Sequence, residues 1–221
     1  VTIAQFVIVM SSPIFAWWCK RSIPQFAEYI NRQIYSEYST LLPIAYSYQD
    51  FRNASNLRPK YKWWGNLFYI VFPLLAFGIA DPVVALLLMI LCFLSALDYC
   101  YYLTDIRYVA AVFVLALLHS VEMAYQESLL FCCLFFGMLG LCSHLIFKKE
   151  ILGSGDSLLF IALSPLFSLE EVFLLLLIAS FSGIAFYLFY FLVMKKTLKK
   201  LPFIPFISFS TFVLIIDKIY I

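Results

Sequence analysis

Apolar runs of membrane-crossing length, separated by short charged loops, constrain this chain more than any other feature. "PVVALLLMILCFLSAL" (82–97) and "VFLLLLIASFSGIAFYLFYFLVM" (172–194) are the plainest of them. A soluble protein of 221 residues has too little interior to bury runs of this kind, and here 64% of residues are hydrophobic and only 13% charged. The mean hydropathy is +0.95, so lipid is the expected solvent. The composition argues against a soluble protein and predicts an all-α, polytopic integral membrane protein with about eight transmembrane helices. No signal peptide followed by a polar mature region is expected, and Val1 in place of Met leaves room for residues ahead of it.

The spans are expected near 1–18, 66–80, 82–98, 107–121, 128–147, 156–169, 171–194 and 202–221. Asp81-Pro82 separates the second from the third, because proline lacks an N–H and disfavours helix in the residue before it. Charge tests the count. Lys20, Arg21, Arg32, Arg52, Arg58, Lys60 and Lys62 follow span one, Arg107 follows span three, Lys148 and Lys149 follow span five, and Lys195, Lys196, Lys199 and Lys200 follow span seven. With eight spans these fourteen of the fifteen basic residues share one side, while the opposite loops hold Glu122, Glu127, Glu170 and Glu171. That is the positive-inside pattern, and it predicts an external N-terminus and a cytoplasmic face at the odd-to-even loops. The one long polar segment, 20–64, is then cytoplasmic, with Trp17, Trp18, Trp63 and Trp64 as interfacial anchors.

The six cysteines (Cys19, Cys92, Cys100, Cys132, Cys133 and Cys142) form no C-x-x-C pair and read as small buried hydrophobes. His119 and His144 read as packing or helix-end residues, and Asp81 as the turn partner of Pro82 at the outer surface.

Two further acids are harder to explain. Asp98 ends span three, which runs inward, and Asp156 opens span six, which runs outward, so the parity of the spans puts both carboxylates at the same cytoplasmic depth. An acid within a span costs about 2.5–3.5 kcal/mol on insertion scales and invites a functional reading. Two carboxylates sharing a site do not readily ionise together; one holds a proton while the other acts as base on a water. That is aspartic-protease chemistry. Asp156 follows Gly153 and Gly155 in "ILGSGDSLLF". The glycines are expected to supply positive φ and a broken helix end open to an extended peptide. The competing reading is a loop with Asp156 as helix N-cap.

Together these segments resemble the type IV prepilin leader peptidase family, the bacterial GxGD membrane aspartic proteases. "KKEILGSGDSLLFIAL", "SALDYCYYLTDIRYV", and "LLLLIASFSGIAFYL" followed by "KKTLKKLPFIPFISFS" are similar to the family's corresponding segments. The resemblance covers residues 66–221 well and implies a prepilin peptidase membrane domain there. It implies Asp98 and Asp156 as the catalytic pair and Gly153 and Gly155 as motif glycines. It covers residues 1–65 poorly; these are expected to form the first transmembrane helix and a cytoplasmic loop, a reduced, zinc-less version of the family's methyltransferase region. The implied activity is cleavage of leader peptides from type IV prepilins or type II secretion pseudopilins at the cytoplasmic face of the bacterial inner membrane. Asp105 and Glu150 are candidate contacts for a basic leader. No nucleic acid is implied as a partner. Proteolysis needs no cofactor; S-adenosylmethionine enters only if the product is also N-methylated, and zinc is not expected, because the first loop lacks two C-x-x-C pairs. The chain departs from the family where Thr104-Asp105 stands for Pro-Asp, Leu158 for a lysine, and Ile204-Pro205-Phe206 for Gly-Pro-Phe. The alternatives are an ion-coupled transporter component and an inactive scaffold homologue. A transporter would be expected to show internal repeats or several helices broken near the bilayer midplane; here the acids cluster at one face and no repeat is visible.

Overall fold

The computed structural model describes residues 3–41, 47–60, 63–120, 125–147, 153–195 and 200–220. Among them are nine α-helices and no strand: α1 (Ile3–Leu41), α2 (Tyr48–Ala54), α3 (Phe68–Gly78), α4 (Pro82–Tyr101), α5 (Ile106–His119), α6 (Gln126–Cys142), α7 (Ser154–Leu163), α8 (Leu169–Met194) and α9 (Ile204–Tyr220). Among its described residues, each of the eight apolar runs is mainly helix. Four helices, α1, α4, α6 with its following turn, and α8, are long and apolar enough to cross a bilayer by themselves. The protein is an all-α membrane protein. Contacts divide it into two compact units, Val1–Ala80 and Asp81–Ile221.

In the first unit α1 runs for 39 residues, well past the expected first span. No glycine occurs before Gly65, and the polar half is laced by i,i+4 pairs, Glu28 with Arg32 at 3.5 Å and Gln33 with Glu37 at 3.1 Å. Pro13 lies inside the helix and leaves the Val9 carbonyl without its helical donor; the Ser12 hydroxyl supplies one at 2.8 Å. The polar segment is therefore not an open loop. It folds back so that α2 meets α1 through Glu28, which accepts from the Tyr48 hydroxyl at 2.8 Å and pairs with Arg52 at 3.0 Å. Buried Asn31 holds the return, donating to the Leu57 carbonyl at 2.9 Å and accepting from Ser55 at 2.7 Å. Phe15 stacks on Phe72 to join α1 to α3. Trp17 and Trp18 are exposed, as interfacial anchors would be; the side chains of Trp63 and Trp64 lie outside the described residues.

In the second unit α4 is the central helix. It is apolar all round, and fourteen of its residues are buried, which is what a helix with no polar face requires. It packs on α5 and α9. Asp81 caps its N-terminus, accepting from the Val83 N–H at 2.7 Å, with Pro82 at the first helical position, where a missing N–H costs nothing. The Asp81 carboxylate also meets His119 Nδ1 at 2.7 Å, which ties the start of α4 to the end of α5. A capping box, Ser168 with Glu171, opens α8. Helix α7 has ten residues, about 15 Å at 1.5 Å per residue, and gives way to a short 3-10 turn at Pro165. It packs between α5 and α6, where Phe160 stacks on Phe136 at 5.3 Å. Cys132 is buried as expected, but Cys133 and Cys142 lie exposed on α6.

Candidate active site

The ends of α4, α5, α7 and α9 that meet around Asp98 and Asp156 form one face of the second unit. Asp98 lies in the last turn of α4 and is 7% exposed. Its Oδ2 accepts a hydrogen bond from the Ile204 N–H at 3.1 Å, one of the donors at the start of α9 that have no partner within the helix. A side-chain hydrogen bond between Ser95 and Ser208, 2.7 Å long and one turn back along α4, fixes the same pair of helices. The sequence gives no sign that α9 supplies a partner for Asp98, because backbone N–H groups leave no residue-type signature; Pro205 near the start of α9 is the only local hint of a helix opening there.

Asp156 is the third residue of α7, whose N-cap is Gly153. Its own N–H bonds the Gly153 carbonyl at 3.1 Å, so Asp156 stands inside the first turn and is not the cap residue. Asp98, Asp156, Gly153, Gly155, Tyr102 and Thr104 line one cavity of about 420 Å³, with Leu158 and Ile106 among its apolar walls. Among the described residues, no Lys, Arg or His lines this cavity. Helix α4 ends at Tyr102 in the left-handed conformation, φ 55°, and the Tyr102 N–H returns to the Asp98 carbonyl at 2.8 Å.

The glycines have a different physical role from the one expected. Neither has positive φ; Gly153 sits at φ −56°, ψ 132°, which any L-residue can adopt. Their use is space. A Cβ on Gly153 would come 2.9 Å from Asp156 Oδ2, and one on Gly155 would come 2.5 Å from Thr104 Oγ1 and 2.7 Å from Thr104 Cβ. Both positions admit only a residue without a side chain unless something moves. The helix end is also less broken than expected, since Gly155 is already helical.

Asp105 caps α5, accepting from the Arg107 N–H at 3.0 Å, and its side chain is only 10% exposed. Glu150, the other candidate leader contact, lies outside the described residues, as do Lys148, Lys149, Lys196 and Lys199. The described residues bring together no group of three His, Cys, Asp or Glu side chains of the kind that holds a metal ion.

Residues 85–188 match the type IV leader peptidase family. No curated protein and no solved structure matches the chain. The matched segment carries both aspartates of the cavity and both of its glycines, and it supports a leader-peptidase-like protease acting on a peptide substrate.

Proposed function

We propose that this protease is an aspartic endopeptidase that removes leader peptides from type IV prepilins or type II secretion pseudopilins at the cytoplasmic face of a bacterial inner membrane, with Asp98 and Asp156 as its catalytic pair. The observation that carries the reading is that these two carboxylates, 58 residues apart in sequence, line one cavity with no Lys, Arg or His among the described residues of its walls. In the reaction the ionised carboxylate takes a proton from a water whose oxygen attacks the scissile carbonyl carbon. The protonated partner gives its proton to the departing amide nitrogen as the C–N bond breaks, so the pair ends with its proton exchanged between the two acids. Asp98 is held for this by the α9 N–H, and Asp156 by the first turn of α7.

The cytoplasmic placement rests on charge. The face that carries the cavity also carries Arg107 at the start of α5, Lys195 at the end of α8 and Lys200 before α9. By the positive-inside rule this face is cytoplasmic and the N-terminus external. A reporter fused after Lys200 should read cytoplasmic and one after Glu171 external; the same reading from both defeats the topology. Asp105 and Glu150 neighbour the cavity in sequence as the acids a basic leader would meet. Residues 1–65 are assigned a reduced, zinc-less counterpart of the family's methyltransferase region, with S-adenosylmethionine required only for methylating the product.

The test is to incubate membranes containing the protein with a candidate prepilin and read the product's N-terminus by mass spectrometry. A cut immediately before the substrate's hydrophobic helix is expected. An uncut prepilin, across pilin and pseudopilin substrates alike, contradicts the proposal.

A further inference from the structure

The turn joining α4 to α5 is pinned at both ends and pressed against α7 in its middle. At its start the Tyr102 N–H bonds the Asp98 carbonyl at 2.8 Å; at its end Asp105 caps α5. Between them Thr104 occupies the space where a Cβ on Gly155 would sit, 2.5 Å from its Oγ1 and 2.7 Å from its Cβ. Gly155 immediately precedes Asp156. The Thr104–Gly155 contact therefore links the helix end that carries Asp98 directly to the helix start that carries Asp156, and both contact residues line the cavity.

We infer that Thr104 is a positioning residue for the carboxylate pair: its side chain, seated on the bare Cα of Gly155, sets how closely the first turn of α7 approaches the end of α4. The inference rests on the protease reading above. The fit depends on shape, since the contact at issue is between the Thr104 side chain and the space above a glycine. Valine, which replaces the hydroxyl with a methyl, keeps the seat; glycine empties it and lets the two segments drift. Catalysis that needs a water held between two acids is sensitive to such drift, and a displacement of about 1 Å can cost on the order of a hundredfold.

The experiment measures prepilin cleavage at several substrate concentrations in membranes carrying wild type, Thr104→Val, Thr104→Gly, Gly155→Ala and the combined Gly155→Ala/Thr104→Gly variant, with insertion checked by protein level. Thr104→Val should keep kcat within about threefold, while Thr104→Gly should lower kcat by about tenfold or more with little change in KM, since the groups that bind substrate stay in place. Gly155→Ala should be impaired at least as much, and adding Thr104→Gly should restore part of its rate, because the second change removes the atoms that the new methyl meets. A Thr104→Gly protein at wild-type kcat overturns the inference, as does a Gly155→Ala defect that Thr104→Gly leaves untouched. A Thr104→Val protein as slow as Thr104→Gly also overturns it, by showing that the hydroxyl and not the shape is what counts. A wild-type protein that cleaves no prepilin brings down the protease reading and this inference with it, whereas an active wild type with any of the three contrary results brings down the inference alone.

Discussion

At one end of the Asp81–Ile221 unit, Asp81 meets His119 at 2.7 Å and Glu171 meets Lys218 at 2.8 Å, and each acid also caps or boxes a helix start. At the other end Asp98 and Asp156 share a cavity, and among the described residues no Lys, Arg or His lines it and neither acid forms an ion pair. The same side-chain chemistry in one bundle is thus treated in two ways. Lys218 shows how thoroughly the first end is neutralised: besides Glu171 it donates to the Leu166 carbonyl at 3.1 Å and lies over the rings of Tyr125 and Phe167. Acids that serve a fold are given partners that quench them. Two acids that share a cavity with hydroxyl-bearing and apolar side chains, and with no cation among its described walls, are placed as the proposed acid-base pair would need.

The comparison breaks first at the cavity. Asp98→Asn and Asp156→Asn should each lower prepilin cleavage by about 10²–10⁴-fold, the range a general acid or base supplies, with membrane insertion intact; cleavage in membranes normalised to protein level checks both. Gly153→Ala is the next largest effect. Its backbone angles suit alanine, so the protein should fold, but the new methyl displaces Asp156 Oδ2 from a distance of 2.9 Å. Cleavage should fall by about ten- to a hundredfold with thermal stability nearly unchanged. At the opposite end the signs reverse. Asp81→Ala removes a helix cap and the His119 contact, and should cost about 0.5–2 kcal/mol in a thermal melt of the detergent-solubilised protein while leaving cleavage at the wild-type rate.

The smallest effect belongs to Glu28, a neutralised acid in the first unit. The Tyr48 hydroxyl, together with Arg52 and Arg32, holds its carboxyl below the ordinary value of 4.5. A lowered folded-state value means that the stabilisation is fully present above the unfolded value and is lost as pH falls through the folded one. Amide exchange of 48–54 should therefore quicken on acidification below about pH 4.5, and Glu28→Gln should abolish that pH dependence. A cleavage loss in Asp81→Ala as large as in Asp98→Asn would erase the distinction between the two ends.

Much of this arrangement is legible in the order of the residues alone. Each apolar run is a helix because nothing in it offers an alternative to one in lipid, and the parity of those runs is enough to bring Asp98 and Asp156 to one face. What stays hidden is set by tertiary contact. That α1 continues to Leu41 depends on Asn31, Glu28 and Tyr48 closing the polar segment onto it, and a hydropathy pattern carries no record of that. The roles of Gly153 and Gly155 differ in kind from the expected ones: glycine in a sequence signals freedom of φ and freedom of space alike, and only Thr104 and the Asp156 carboxylate, seen in place, decide for space. The Ile204 N–H is out of reach for the same reason, because a backbone donor is supplied by where a helix starts and not by which residue starts it.

The central claim is that Asp98 and Asp156 work as one unit, and a double-substitution cycle tests it most directly. Cleavage of a prepilin is measured by mass spectrometry for wild type, Asp98→Asn, Asp156→Asn and the double variant, each at equal level in the membrane. The account predicts that both single variants and the double variant share the same residual rate, within about threefold, because removing either member already removes the pair's acid-base chemistry. A double variant slower than either single variant by the product of two separate losses, or a well-inserted single variant that cleaves at the wild-type rate, would contradict it.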